Sequence, residues 1–192
     1  MSIEKAKSVD QVSAGLVARQ GSDERIKAGG VFHFQCFDKD GNLKWEESTH
    51  NLVVNTGLQM MNTQFFTGSS YTAAWYLGLI TGPGSSTSYS ASDTLASHAG
   101  WTEYSDYSGA RKALTFGTAT TADPSVIDNS ASVAQFTISG AGGTVAGAFL
   151  ATVSSGTSGT LFSEADFQSP GDRVVVAGDT LNVTYTFSLD AA

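Results

Sequence analysis

Residues 31–54 read VFHFQCFDKDGNLKWEESTHNLVV. The first seven alternate aromatic and polar side chains, with Phe32, Phe34 and Cys36 on one side, and a period of two marks a half-buried strand. Asp38-Lys39-Asp40-Gly41-Asn42 follows. Asp-Gly-Asn is turn chemistry, because glycine accepts positive φ and Asp and Asn side chains bond the nearby backbone. Leu43–Val54 then returns as the partner strand. This hairpin sets the class of the fold.

The same period recurs at the far end of the chain. In Leu181–Leu189 (LNVTYTFSL), Leu, Val, Tyr, Phe and Leu share one side and Asn, Thr, Thr and Ser the other. That is the pattern of an antiparallel strand with one face buried. Further strands are expected at 73–80, 113–116, 133–139, 145–153, 160–162 and 173–177, with Gly140–Gly143 as a tight connection. One segment changes period. Asn55–Phe66 places Leu58, Met61, Phe65 and Met60 on a single helical stripe, and Asn55 or Thr56 can cap it. A short helix covering the core is the expected role, and a Met-rich binding groove the alternative.

No strand–helix–strand rhythm recurs, which argues against a parallel α/β sheet. No fixed-period repeat points to a propeller or solenoid. The expected fold is mainly β: an antiparallel two-sheet β-sandwich, jelly-roll-like, with one or two short helices. Residues 29–192 form the sandwich domain. Residues 1–28 mix Lys, Glu, Asp, Arg, Ser and Gly around one apolar pair, Leu16-Val17, and read as an N-terminal arm.

Composition agrees. The chain has 192 residues, 15% of them charged, with 21 Gly and three Pro. That suits short strands and tight turns better than a helix bundle. Net charge is −8, and residues 48–192 hold three Lys or Arg against ten Asp or Glu. Nucleic acid and anionic membrane are therefore poor partners, since both need clustered cations. No signal peptide and no membrane span are expected, because no apolar run of suitable length occurs. The single cysteine, Cys36, makes no internal disulfide and is expected to be a buried small hydrophobe.

Residues 75–104, WYLGLITGPGSSTSYSASDTLASHAGWTEY, bring together Ser92, Asp93, Ser97, His98 and Glu103. These residue types serve nucleophilic catalysis and metal binding. The patterns those chemistries require are missing, however. There is no Gly-x-Ser-x-Gly elbow, and adjacent Ser97 and His98 diverge on either a strand or a helix. There is no His-Glu-x-x-His, no Cys-x-x-Cys, and no phosphate-binding Gly-rich loop. Asp38–Asn42 looks like part of a calcium loop, but its Gly is misplaced and the distal Glu is missing. Glu46-Glu47 and Glu164-x-Asp166 are the nearest carboxylate pairs. Glu46 and Glu47 face opposite ways on a strand, and all four are expected to be solvated surface acids. The loop therefore reads as a connection between strands. The aromatics around it, Trp75, Tyr76, Trp101, Tyr104 and Tyr107, are expected to pin it to the sandwich, with a protein interface and a sugar platform as alternatives.

Five segments together resemble a group of tailed-phage structural proteins. They are HNLVVNTGLQMMN (50–62), WYLGLITGPG (75–84), ASDTLASHAGWTEY (91–104), GTVAGAFLATVSSGTSGTLFSEADF (143–167) and VVVAGDTLNVTYTFSL (174–189). The resemblance spans roughly residues 29–190 and implies a non-enzymatic head decoration, or cement, protein on the outer surface of the capsid, made in the bacterial cytoplasm. It implies no catalytic residue, cofactor or metal. The implied partners are the major capsid protein and further copies of the chain, a trimer being favoured over a dimer. A tail or fibre component binding a host glycan is the alternative. Candidate interface residues are Arg19, Arg25 and Lys27 in the arm, and Trp75, Trp101, Tyr104 and Tyr107 in the domain. An extended arm of 28 residues would reach ~90 Å, enough to cross a subunit boundary.

Overall fold

The computed structural model describes residues 26–67, 73–81, 89–167 and 171–191. The first hairpin is present: β1 (Ile26–Phe37) pairs antiparallel with β2 (Leu43–His50). Its turn is closed by Asp38, whose carboxylate accepts from the backbone N–H groups of Asp40 and Asn42 at 2.9 and 2.8 Å. Those bonds, with the Asn42 side chain, hold the Asp38 carboxyl below its ordinary range. The acid is thus spent on the turn, and the hairpin accounts for the sequence that looked like part of a calcium loop.

The chain continues through β3 (Leu52–Val53), α1 (Asn55–Thr67), β4 (Tyr76–Thr81), β5 (Thr102–Tyr104) and β6 (Lys112–Ala113). Then come β7 (Ser125–Asp128), a 3₁₀ turn at Ser130–Ser132, β8 (Ala134–Thr137), β9 (Gly143–Val145) and β10 (Gly147–Ala151). The last strands are β11 (Leu161–Asp166), β12 (Arg173–Val175) and β13 (Thr180–Ala191). Every pairing is antiparallel. One sheet runs β2-β1-β13 and ends on β7 and β8, which share the far edge of β13; the other runs β3-β11-β10-β4 and ends on β5 and β6. A two-stranded ribbon, β9 with β12, stands beside them. This is the expected sandwich, with one α-helix among the described residues.

Alternation decides the core. From the first sheet Phe32, Phe34, Leu181, Val183 and Tyr185 turn inward, and from the second Leu77, Leu79, Ala148 and Leu150 meet them. The outward residues of the second sheet are not polar. Ile80, Phe149, Ala151 and Leu161 form a second apolar cluster on its other face, with Leu95 and Trp101 laid over it. Both faces of this sheet are therefore buried, which explains the near-continuous apolar runs of β4 and β10. Gly78 makes room for the cluster: a Cβ there would lie 2.3 Å from the Phe149 ring of the neighbouring strand.

Some boundaries differ from expectation. β1 begins three residues before the composition break at Gly29, so Lys27 is a strand residue opposite Asp190. Only Lys112–Ala113 pair in the region expected as a strand at 113–116. The turn at Gly140–Gly142 carries the chain from the first sheet to the ribbon. The rest of the arm, with Arg19 and Arg25, and the Gly82-Pro83-Gly84 opening of the long loop lie outside the described residues.

Candidate functional site

The loop that follows β4 was the place to look for chemistry, and from Tyr89 onward it is described in full. It folds back across the outer face of the second sheet in short turns. Asp93 N–H donates to the Ser90 carbonyl, and Thr94 and Ser97 exchange backbone bonds at 2.9 and 3.1 Å. Ser90 Oγ and Ser92 Oγ bond each other at 2.8 Å. The Ser97 N–H is held by Thr94, and His98 lies flat on Trp101, ring centroids 3.7 Å apart and planes within 12°. His98 Nδ1 is 3.0 Å from the Trp101 carbonyl oxygen. Ser, His and Asp are thus each held locally and form no relay among themselves.

The centre of the loop is a carboxyl that the sequence reading placed on the surface. Glu164, on β11, is 0% exposed. Trp101 Nε1 donates to its Oε2 at 2.8 Å, and the Ser90 N–H to its Oε1 at 3.2 Å. Asp93, itself buried, bonds the same carboxyl and also accepts from Ser90 N–H. Burial pushes Glu164 up to about 8; the Trp101 hydrogen bond opposes this, and the negative charge of Asp93 adds to it. At neutral pH Glu164 therefore keeps its proton. The expectation of a solvated acid fails because Trp101, 63 residues earlier in the chain, is laid over the strand and excludes water. Asp166, two residues on, is half-buried and raised to about 6 by burial and by Asp172. The other pair faces opposite ways, as expected, but only one member is solvated: Glu46 faces Gln35 and His33 on the exposed side, whereas Glu47, its side chain 16% exposed, is paired with Arg173 on the other.

A raised acid beside a second carboxylate has the electrostatics of a general acid. Its geometry points elsewhere. Both Glu164 oxygens and its proton are engaged, and no face of the side chain is open.

The loop leaves the sheet through a second polar clamp. Arg111, 6% exposed, grips Glu103 with two parallel bonds of 2.8 and 2.7 Å, and its third nitrogen donates to the Val153 carbonyl at 3.1 Å. Its guanidinium also stacks 5.0 Å above Phe149. The other two cations of residues 48–192 are likewise engaged. Lys112 donates to the Ser108 carbonyl and lies over Tyr107, and Arg173 pairs with Glu47 and lies over Trp45.

The interface candidates divide. Trp101, Tyr104 and Tyr107 are 3%, 5% and 6% exposed. They pin the loop to the two apolar clusters, so they offer no surface to a partner and no platform to a sugar. Trp75 is half-buried, edge-on to Phe162 at 5.1 Å. Lys27 is exposed at the start of β1. Cys36 is 0% exposed, and burial, with Asp179 beside it, pushes its thiol up to about 12. Among the described residues no three His, Cys, Asp or Glu side chains gather as a metal site, and no helix is long and apolar enough to cross a membrane.

Sequence reasoning missed Arg111 and the buried state of Glu164. The second left a trace, since Glu164 lies in LFSEADF, where Leu161, Phe162, Ala165 and Phe167 are all core residues. Comparison with family models, with curated proteins and with solved structures returned no match.

Proposed function

We propose that this chain is a non-enzymatic virion protein that decorates a tailed-phage head and stabilises it by bridging major capsid subunits. One observation supports a structural role most directly: the chemistry-bearing residues of the 89–111 loop are consumed in fastening it to the sandwich. Trp101 to Glu164 and Arg111 to Glu103 are bonds that stiffen a surface. Stiffness is what a clamp needs, because a preordered surface loses little entropy on binding. Each copy adds modest interface area, and many copies act together. Placement on a head rests on the resemblance of the five segments named above. The glycan-binding alternative is weakened by the burial of Trp101 and its neighbouring tyrosines.

The test is copy number. Quantitative mass spectrometry of purified virions should find this chain at one copy, or a simple fraction such as one third, per major capsid subunit. A handful of copies per particle moves it to the tail or a fibre. Absence from the virion ends the structural reading.

A further inference from the structure

α1 was expected to cover the core, and its first turn does. Gly57 is the only buried residue of the helix, and a Cβ there would meet the Phe162 carbonyl of β11 at 2.3 Å. The Thr56 hydroxyl donates to the Leu161 carbonyl at 2.7 Å. Met61 packs on the core. The rest of the stripe is bare, Leu58 43% exposed and Phe65 81%, and so is the neighbouring Phe66 at 82%. The contact with β11 is spent on the first turn, and the second half of the stripe lies outside the sandwich.

These side chains border a groove of about 370 Å³, closed on its far side by Ile26 and Leu189 from the paired ends of β1 and β13. Ile26 is 76% exposed. An apolar cleft of about 230 Å³ adjoins it through Met61 and Phe65 and runs between the sheets past Trp75, Phe162 and Phe187. The four bare side chains alone present roughly 500 Å² of apolar surface. That lies at the upper end of what monomers leave in one patch.

Charge selects the occupant. No residue of α1 ionises. A cationic or anionic partner would find nothing on the helix to pair with. The chain's own residues 1–25 carry eight charged side chains, a poor fit to an uncharged groove. A second copy of this chain fits. Two chains of net charge −8 repel each other least where neither is charged. The patch supplies both knobs, Phe65 and Phe66, and a groove to receive them. Two such faces bury roughly 1,000 Å² from these four side chains alone, about the threshold for a specific interface. Lys27 and Asp190, opposite one another at the rim, can pair across the contact with their counterparts.

We infer that the α1 face is the surface through which copies of this chain associate, Phe65 and Phe66 of one seating against Leu58, Met61 and Leu189 of the next. The contact needs no capsid, and its test uses none, so its failure leaves the copy-number test untouched. Sedimentation equilibrium of the full chain is expected to give a dimer or trimer mass. Phe65→Asp/Phe66→Asp is expected to weaken association at least ~100-fold with an unchanged circular dichroism spectrum. Phe66→Ser alone gives a smaller shift in the same direction. Leu43→Glu, which removes a half-exposed apolar side chain elsewhere, leaves the mass unchanged. A wild type that remains monomeric to ~100 µM overturns the inference. So does a double variant that associates like wild type. If the wild type is monomeric and amides 58–66 lose hydrogen-exchange protection when residues 1–25 are deleted, the groove belongs to residues 1–25 instead.

Discussion

Glu164 shows how much one side chain can owe to its cover. Its carboxyl ordinarily titrates at 4.5 and here at about 8. The folded protein therefore holds a proton that the unfolded chain releases. Such a group favours the fold fully below about pH 4.5, and that contribution is lost as pH rises towards and through 8. Glu164→Gln keeps an acceptor for Trp101 and a donor for Asp93 but cannot ionise. Thermal melts should find the variant close to wild type at pH 5 and more stable at pH 9, by on the order of 3 kcal/mol. Equal melting curves for the two proteins at pH 9 would show that the loop opens to solvate the acid. Cys36 gives a second check at this scale. A thiol that is buried and raised to about 12 should not react with an aromatic disulfide reagent at pH 8 until the protein unfolds. Fast labelling of the native protein would contradict the packing of β1 against β13.

Among the elements, β13 has the most demanding job. It pairs with β1 along its whole length, but two separate strands share its other edge. β8 covers Thr180–Val183 and β7 covers Thr186–Leu189. Between them the ladder would break, and Asn129 fills the break. Its side-chain oxygen accepts the Tyr185 N–H at 2.6 Å, and its amide donates to the Val183 and Ser132 carbonyls at 3.4 and 3.1 Å. Asn129 is 0% exposed, so water cannot take over. Asn129→Ala should cost about 3 kcal/mol by leaving buried backbone groups unpaired, measured as a fall in the urea midpoint at constant slope. Asn129→Asp restores the acceptor for Tyr185 but not the donors, and should recover only part of the loss. Nothing in the sequence singled out this residue, because its value depends on two strands ending at one place on a third.

At the scale of the whole molecule the buried acids add. Asp166 is raised to about 6 and Glu164 to about 8, both mainly by burial. Asp38 and Asp128 are lowered by hydrogen bonds but lie within reach of solvent, and contribute little. The melting temperature should therefore peak near pH 5 and fall towards pH 9. A flat profile over that range would mean that the cover over β11 is open in solution. Arg111, Lys112 and Arg173, the only cations of residues 48–192, are all spent on contacts within the chain, against ten Asp or Glu in the same span. The α1 face carries no charged side chain, so association there is little opposed by electrostatics.

By itself the sequence determined what a period can determine. The hairpin at 31–50, the alternation at 181–189 and the change of period at 55–66 each describe one element. Together they yield antiparallel sheets and one helix. A period reports that an element has two different faces, but not which neighbour will arrive to cover either one. Tertiary structure decided that. It laid Trp101 over Glu164 and turned a surface acid into a buried one. It put Asn129 in the break along β13 and locked Arg111 to Glu103. It also left Phe65 bare on a helix whose stripe predicts burial. In each case the physical cause is a contact between distant parts of the chain, and local pattern carries no record of it.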